Sequence, residues 1–197
     1  MDFIPNIKII SDVQLDKMDS PPLHLSVAKD NIILRDILQK GLDDISKEEM
    51  NLIRDKWITI DVNRTENNQS ENLLSVEELK WISNQTPIKV ANSIDWAPFN
   101  FLENGEPKGY SIELLQLVGK KTGLPFEFIS GNSWIEILEK FKLGELDILP
   151  SVNFIESREE FISFTESYAS NPSVIVVNRQ NSDIKTIEDL LHKKVAV

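Results

Sequence analysis

The sequence predicts an α/β fold, and three observations predict it. Short apolar stretches of strand character alternate with amphipathic segments of about three turns, the connections between them are short, and Gly or Pro closes several of the helical segments. That alternation implies a mostly parallel sheet with helices packed on its faces.

The elements follow in order. Leu23-His24-Leu25-Ser26-Val27 alternates like a half-buried strand, and Ile33, Ile37, Leu38 and Leu42 then recur at helical spacing. Ser46-Lys47-Glu48-Glu49 is a capping box: the Ser hydroxyl accepts from the third helical amide and the Glu reaches back, opening a helix that carries Met50, Ile53 and Trp57. The polar stretch from Asn63 to Asn72 has too little apolar surface to offset the ordering of its backbone, so residues 63–74 read as a linker between 1–62 and 75–197. Ser75-Val76-Glu77-Glu78 forms a second capping box ahead of Leu79 and Trp81, and its likeness to the first is local, without the period of a solenoid.

Ile88–Ala91 is strand-like, and Phe99–Leu102 leads into an Asn104-Gly105 turn. The stretch Asn104 to Gly109 fits neither a P-loop nor a dinucleotide fingerprint and reads as a hairpin. Ile112, Leu115 and Val118 share a helical face that ends at Gly123 and Pro125. Phe126–Ile129 is a strand, Ile135, Leu138 and Phe141 form a helix stopped by Gly144, and Leu146–Leu149 is a buried strand. A short helical stretch then precedes a strand at Val174–Val177.

The 197 residues hold 21 Lys+Arg against 32 Asp+Glu, a net charge of −11 that repels a phosphate backbone and disfavours nucleic acid as a partner. No window approaches the roughly 18 apolar residues of a membrane span, and Met1–Pro5 lacks the basic and apolar regions of a signal peptide. With no Cys and two His, His24 and His192, there are no thiolate zinc sites, thiol nucleophiles or disulfides, and no metal or cofactor is expected.

Open parallel sheets place ligands at the carboxyl ends of their strands, so the loops after Ala91, Ile129 and Leu149 should converge. The first holds Asp95-Trp96-Ala97-Pro98-Phe99, where Trp96 reads either as a stacking wall or as a packed anchor of the turn. The second brings Ser133 as a cap and Trp134 at the first helical turn, again as rim or core. The third runs from Pro150 through Ser151 and Asn153 to Arg158, a set that suits a carboxylate: the planar guanidinium binds both oxygens, while hydroxyl and amide take the remaining lone pairs. The alternative for Arg158 is an exposed ion pair with Glu156, Glu159 or Glu160. Glu145 and Asp147 have no nucleophile or electrophilic partner nearby and read as a solvated turn and a strand-end cap.

Five stretches in order then resemble one family: Asp95 to Phe101, Gly105 to Leu114, Gly144 to Leu149, Glu156-Ser157-Arg158, and Phe161 to Tyr168. From about Ile88 to Val197 the chain resembles the bacterial periplasmic solute-binding proteins of polar amino-acid type, family 3. Ser20 to Trp57 resembles the carboxyl-terminal end of the same kind of domain, as in the tandem flytrap modules of sensor histidine kinases of two-component systems. The resemblance implies a type II periplasmic-binding-protein-like lobe and incomplete modules: the tail of an upstream module in 1–62, and in 75–197 an amino-terminal lobe that stops just past a hinge near Val177–Gln180.

It further implies an extracytoplasmic, non-enzymatic module that closes on a small solute, an amino acid, and signals to membrane domains. The alternatives are the binding component of an amino-acid ABC transporter or an enzyme on the same fold, a dehydratase or the accessory lobe of a peptidoglycan lytic enzyme. Residue by residue, it puts Trp96 and Trp134 on the ligand cleft, Ser151 and Asn153 at hydrogen-bonding positions, and Arg158 on the ligand's α-carboxylate. Ile155 departs from the threonine usual in the family, and Phe154 adds bulk beside it.

Overall fold

The computed structural model describes residues 7–12, 22–58, 73–170 and 174–195. The linker expected at 63–74 therefore lies, up to residue 72, outside the described residues. In chain order the elements are β1 (Ile7–Asp12), β2 (Pro22–Ala28), α1 (Ile32–Asp43), α2 (Lys47–Trp57), α3 (Val76–Ser83), β3 (Ile88–Ala91), β4 (Asp95–Trp96), β5 (Asn100–Glu103), β6 (Glu106–Lys108), α4 (Tyr110–Thr122), β7 (Phe126–Ile129), α5 (Trp134–Lys142), β8 (Ile148–Asn153), β9 (Ile162–Phe164), β10 (Ala169–Ser170) and β11 (Val174–Asn178). Two compact units divide them, Leu23–Tyr168 on one hand and Met1–Pro22 with Ala169–Val197 on the other.

In the larger unit, β3 pairs in parallel with β7 along its length and with β8 at Val90 and Ile148. This is the parallel block expected from alternating strands and helices. β2 extends it on the far side of β8, antiparallel, and β9 pairs antiparallel with β2. The unit thus draws on residues from both sides of the polar stretch 63–74. β4, β5 and β6 make a separate three-stranded antiparallel sheet, with Asp95 opposite Phe101 and Leu102 opposite Pro107.

The core explains why these segments hold together. Leu23, Leu25 and Val27 of β2 are fully buried, as are Ile37 and Leu38 of α1 and Leu114, Leu115 and Val118 of α4. Each such Leu or Ile side chain contributes about 1.5–3 kcal/mol relative to exposure. α1 lies against α4 because Gly41 lacks a side chain: a Cβ there would stand 2.6 Å from Val118 Cγ1. A second cluster joins Ile137 and Phe141 of α5 to Ala91, Leu146, Leu149, Val152 and Ile162.

α2 has no fully buried residue, its Met50, Ile53 and Trp57 are half-buried with the Trp57 ring 5.6 Å from that of Phe101, and polar contacts add to this. Lys121 bridges Asp44 and Glu49, Lys56 pairs with Glu113, and the Tyr110 hydroxyl lies 3.0 Å from Met50 Sδ. Burial raises the Glu49 carboxyl pKa, but hydrogen bonds from Ser46 and the Lys121 charge together hold it below the ordinary carboxylate range. The capping boxes at Ser46, Ser75 and Ser133 are all formed, each with its Glu three residues on.

β8 runs from Ile148 to Asn153, whereas the sequence suggests a strand ending at Leu149. It passes through Pro150, which has no N–H to give the ladder, at a place where the register with β2 shifts between His24 and Ser26.

In the smaller unit, β1 and β11 form an antiparallel pair, from Ile7 opposite Asn178 to Asp12 opposite Val174, with an irregularity between Ile9 and Ser11. Asp189 Oδ2 accepts from the amides of Lys185 and Thr186 ahead of a short 3-10 turn at Glu188–Leu190. Lys193–Val195 carry no regular structure, and Ala196 and Val197 lie outside the described residues. No helix among the described residues is long and apolar enough to cross a membrane.

Candidate ligand-binding cleft

A cleft of about 490 Å³ opens in the larger unit, lined by Ser93, Asp95, Trp96, Trp134, Ser151, Val152, Asn153 and Arg158. All five residues singled out from sequence, Trp96, Trp134, Ser151, Asn153 and Arg158, border this one space. The loops after β3, β7 and β8 bring them there, as expected for the carboxyl ends of parallel strands. A smaller recess of about 30 Å³ involves Trp96 and Trp134 with the apolar Ile137 and Leu149.

One wall follows β3. Ser93 N donates to Asn100 Oδ1 at 3.1 Å, Leu102 N to the Ile94 carbonyl at 3.1 Å and Phe99 N to the Trp96 carbonyl at 3.0 Å. The Ala97–Pro98 bond is cis. The first amides of α4 are satisfied from the same loop, Tyr110 N by the Pro98 carbonyl and Ser111 N by that of Phe99, each at 2.9 Å. Behind Trp96 stands a row of rings, with centroids 5.7 Å apart to Phe99, 6.3 Å from Phe99 to Tyr110 and 5.9 Å from Tyr110 to Tyr168. Trp96 is thus at once cleft wall and packed anchor.

The other wall is β8 and the turn after it. Arg158 Nη1 donates to the Asn153 carbonyl at 2.9 Å, and the guanidinium carbon stands 5.5 Å from the Trp134 ring centroid, within cation–π range. No carboxylate among the described residues pairs with Arg158, so the exposed ion pair with Glu156, Glu159 or Glu160 does not form. Partial burial, with no acid to offset it, pulls the guanidinium pKa somewhat below its usual value, although Arg remains charged at any working pH.

Asn153 Oδ1 is buried and has no hydrogen-bond partner among the described residues. Ser151 lies beside a buried phenol: Tyr168 donates its hydroxyl proton to the Pro150 carbonyl at 2.7 Å, leaving Ser111 Oγ to donate to Tyr168, also at 2.7 Å. Burial pushes the Tyr168 pKa well up, with the Ser111 and Ser151 hydroxyls acting the other way, so the phenol stays neutral. Trp134, on the first turn of α5, is 41% exposed, which settles rim over core for this residue.

Sequence reasoning missed Ser93 and Asp95 as lining residues. The signal was present, since both precede Trp96 in a loop already expected at the rim. Among the described residues no group of His, Asp or Glu could hold a metal ion. The polar groups presented are a guanidinium, a carboxylate, hydroxyls and an amide between indoles, an arrangement for binding an ionised solute.

The sequence model for bacterial extracellular solute-binding proteins, family 3, matches residues 88–196, more than half of the chain. The chain belongs to that family. Its fold is accordingly the type II periplasmic-binding-protein-like lobe, and as a family 3 solute-binding module it is of extracytoplasmic type.

Several proteins are similar to this family 3 module. The virulence sensor protein BvgS of Bordetella pertussis is 33% identical over 118 residues, covering 59% of this chain and 10% of that protein. The sensor protein EvgS of Escherichia coli (strain K12) is 25% identical over 161 residues, covering 81% of this chain and 13% of that protein. The "Probable amino-acid-binding protein YxeM" of Bacillus subtilis is 33% identical over 104 residues, 50% of this chain and 38% of that one. A solved VFT2 domain of Bordetella pertussis BvgS, a double mutant, aligns with a TM-score of 0.40 at 31% identity over 44% of this chain and 36% of that chain. The chain spans about a tenth of the length of the sensor proteins that it matches.

Proposed function

We propose that the cleft binds the α-carboxylate of an amino acid through Arg158, and that the chain is a ligand-binding part of a membrane-bound sensor. The observation that carries this reading is an Arg158 cation with no carboxylate partner among the described residues, held at the cleft by one carbonyl and an indole face. A carboxylate arriving there gains charge-assisted, bidentate bonds at a group that is already partly desolvated. The buried Asn153 Oδ1 and the Ser151 hydroxyl offer further hydrogen-bonding groups, and Trp96 and Trp134 flank the guest.

The sensor reading rests on coverage. The match to EvgS takes in 81% of the chain and so extends beyond 88–196, whereas the amino-acid-binding protein YxeM matches 50%. In that arrangement residues 1–62 are the tail of an upstream module, 63–74 a linker and 75–197 the head of the next. The packing of Leu23–Trp57 onto the block from Ile88 to Tyr168 supports a tail that completes its neighbour. Signalling then consists of lobe closure: a solute that binds the closed form more tightly shifts the population toward it and biases the attached membrane domains. The relatives in amino-acid transport, among them the "Putative amino-acid ABC transporter-binding protein PatH" of Vibrio harveyi, support the same cleft with a permease as its recipient.

Calorimetry with the L-amino acids, on this chain and on Arg158→Ala, tests the reading. Binding that weakens roughly ten- to hundredfold in the variant is expected, the range of a hydrogen bond to a charged group. Equal affinity in the two proteins overturns it.

A further inference from the structure

The turn that carries Arg158 is strung along a strand from outside the family match. β2 pairs antiparallel with β8 on one edge and with β9 on the other: Ser26 stands opposite both Leu149 and Phe164, and Val27 opposite both Ile148 and Ser163. β8 and β9 therefore run parallel to each other with β2 between them. The connection 154–161, which holds Arg158, must return along β2, from Asn153 opposite Leu23 to Ile162 opposite Ala28. The cleft residues Asn153 and Val152 are themselves in register with Leu23 and His24.

Both ends of that connection are tied to this one strand. At its start, the carbonyl that receives Arg158 Nη1 belongs to Asn153, whose partner Leu23 is fully buried. At its end, Lys29 N donates to the Phe161 carbonyl at 3.1 Å and Lys29 Nζ to the Glu159 carbonyl at 2.6 Å. A lysine suits that place, because the last carbonyls of a helical turn lack partners within it. Between the two ends, the Phe154 ring lies 5.4 Å from that of Phe164, which lies 5.5 Å from that of His24. Lys29 thus follows β2 directly, and its ammonium grips the residue next to Arg158.

We infer that Lys29 is a positioning residue for Arg158, and that through it the seating of β2 and the occupation of the cleft reinforce each other. This rests on the Arg158 reading above and adds a regulator of the same site. A guanidinium held in place before its guest arrives loses less entropy on binding it. By linkage, a guest that fixes the Arg158 turn must in return hold β2 more firmly. A solute in the cleft thereby acts on residues 23–29, which precede the family match at 88–196.

The test uses the whole chain as parent, Lys29→Met, which keeps the aliphatic stem, and Lys29→Arg, which restores a donor, with Arg158→Ala as control for the carboxylate site. Amide hydrogen exchange without solute, read by mass spectrometry, should be faster at 154–161 in Lys29→Met, unchanged in α4 and close to the parent in Lys29→Arg, with the urea midpoint unmoved. Calorimetry with each of the standard L-amino acids should show the tightest binder of the parent weakened roughly three- to tenfold in Lys29→Met and held within about twofold in Lys29→Arg. That amino acid, at a concentration saturating the parent, should slow exchange at 23–29 in the parent and not in Arg158→Ala. Unchanged exchange at 154–161 or unchanged affinity in Lys29→Met overturns the Lys29 assignment and leaves the carboxylate site standing. A lowered urea midpoint with faster exchange throughout the chain assigns Lys29 to stability alone and overturns its positioning role. Equal affinity in the parent and Arg158→Ala, or no binding by any of the amino acids, overturns the Arg158 reading and this role with it.

Discussion

The two walls of the cleft are built differently. The Trp96 wall is tied by five backbone or side-chain hydrogen bonds between Ser93 and Ser111 and backed by a row of aromatic rings. The Arg158 wall joins β8 to a short 3-10 turn closed by the Arg158 N bond to the Ile155 carbonyl and the Phe161 N bond to that of Arg158, the guanidinium itself is held by one bond to a carbonyl and one ring contact, and beside it Phe154 and Ile155 are 43% and 46% exposed. The first wall is preorganised and costs stability when cut. The second carries the guanidinium proposed to bind a carboxylate, so cutting that side chain should cost affinity more than stability. Shape is thus supplied by one side and charge mostly by the other.

The largest effect should come from Phe99→Ala. The ring is buried between Trp96 and Tyr110, and its removal should lower unfolding stability by about 3–5 kcal/mol in urea titrations. Gly109→Ala comes next: Gly109 has φ of +121°, and a Cβ there would fall on the Phe99 carbonyl, so a loss of roughly 1–3 kcal/mol is expected by the same measurement. Ser133→Ala removes the cap of the helix that presents Trp134 and should cost about 1 kcal/mol. Arg158→Ala, which abolishes the proposed carboxylate anchor, should change stability by less than about 1 kcal/mol. A result for Arg158→Ala as large as that for Phe99→Ala would erase the distinction between the walls.

The smallest effect is one of pH, and it sharpens the comparison behind the Arg158 wall. His24 faces Val152 of β8 in register and donates from Nδ1 to the Thr165 carbonyl at 2.7 Å, leaving Nε2 buried without a partner among the described residues. Burial holds its pKa below the ordinary 6.5, with the Thr165 bond partly offsetting. A depressed value in the folded state means that the contribution is fully present above pH 6.5 and is lost as pH falls through the lowered value. Urea midpoints at about pH 8 and pH 5.5 should therefore differ less in His24→Gln than in the parent protein.

Much of this was legible in the sequence because the segments announce themselves locally. The capping boxes at Ser46 and Ser75 and the cap at Ser133 formed as read, and β3, β7 and α4 lie where periodicity put them. Convergence of Trp96, Trp134, Ser151, Asn153 and Arg158 followed from a general rule about strand ends.

What local pattern could not show was pairing. Leu23–Val27 reads as a strand, but nothing in its own residues says that it lies antiparallel between β8 and β9. The strand read as ending at Leu149 runs on through Pro150 to Asn153, where its register with β2 shifts, a feature of the neighbouring strand that local pattern does not carry. Ser93 and Asp95 went unremarked as lining residues because which residues of a loop border the cleft is a matter of tertiary position.

The insertion of β2 has a practical side. The match to the family's sequence model starts at residue 88, yet the compact unit reaches back to Leu23. An excised piece beginning at the later point would leave one flank of β8 without its ladder and strip α1 from the apolar side of α4. Such a piece would invite edge-to-edge clumping, so the family match and the compact unit place this border at different residues.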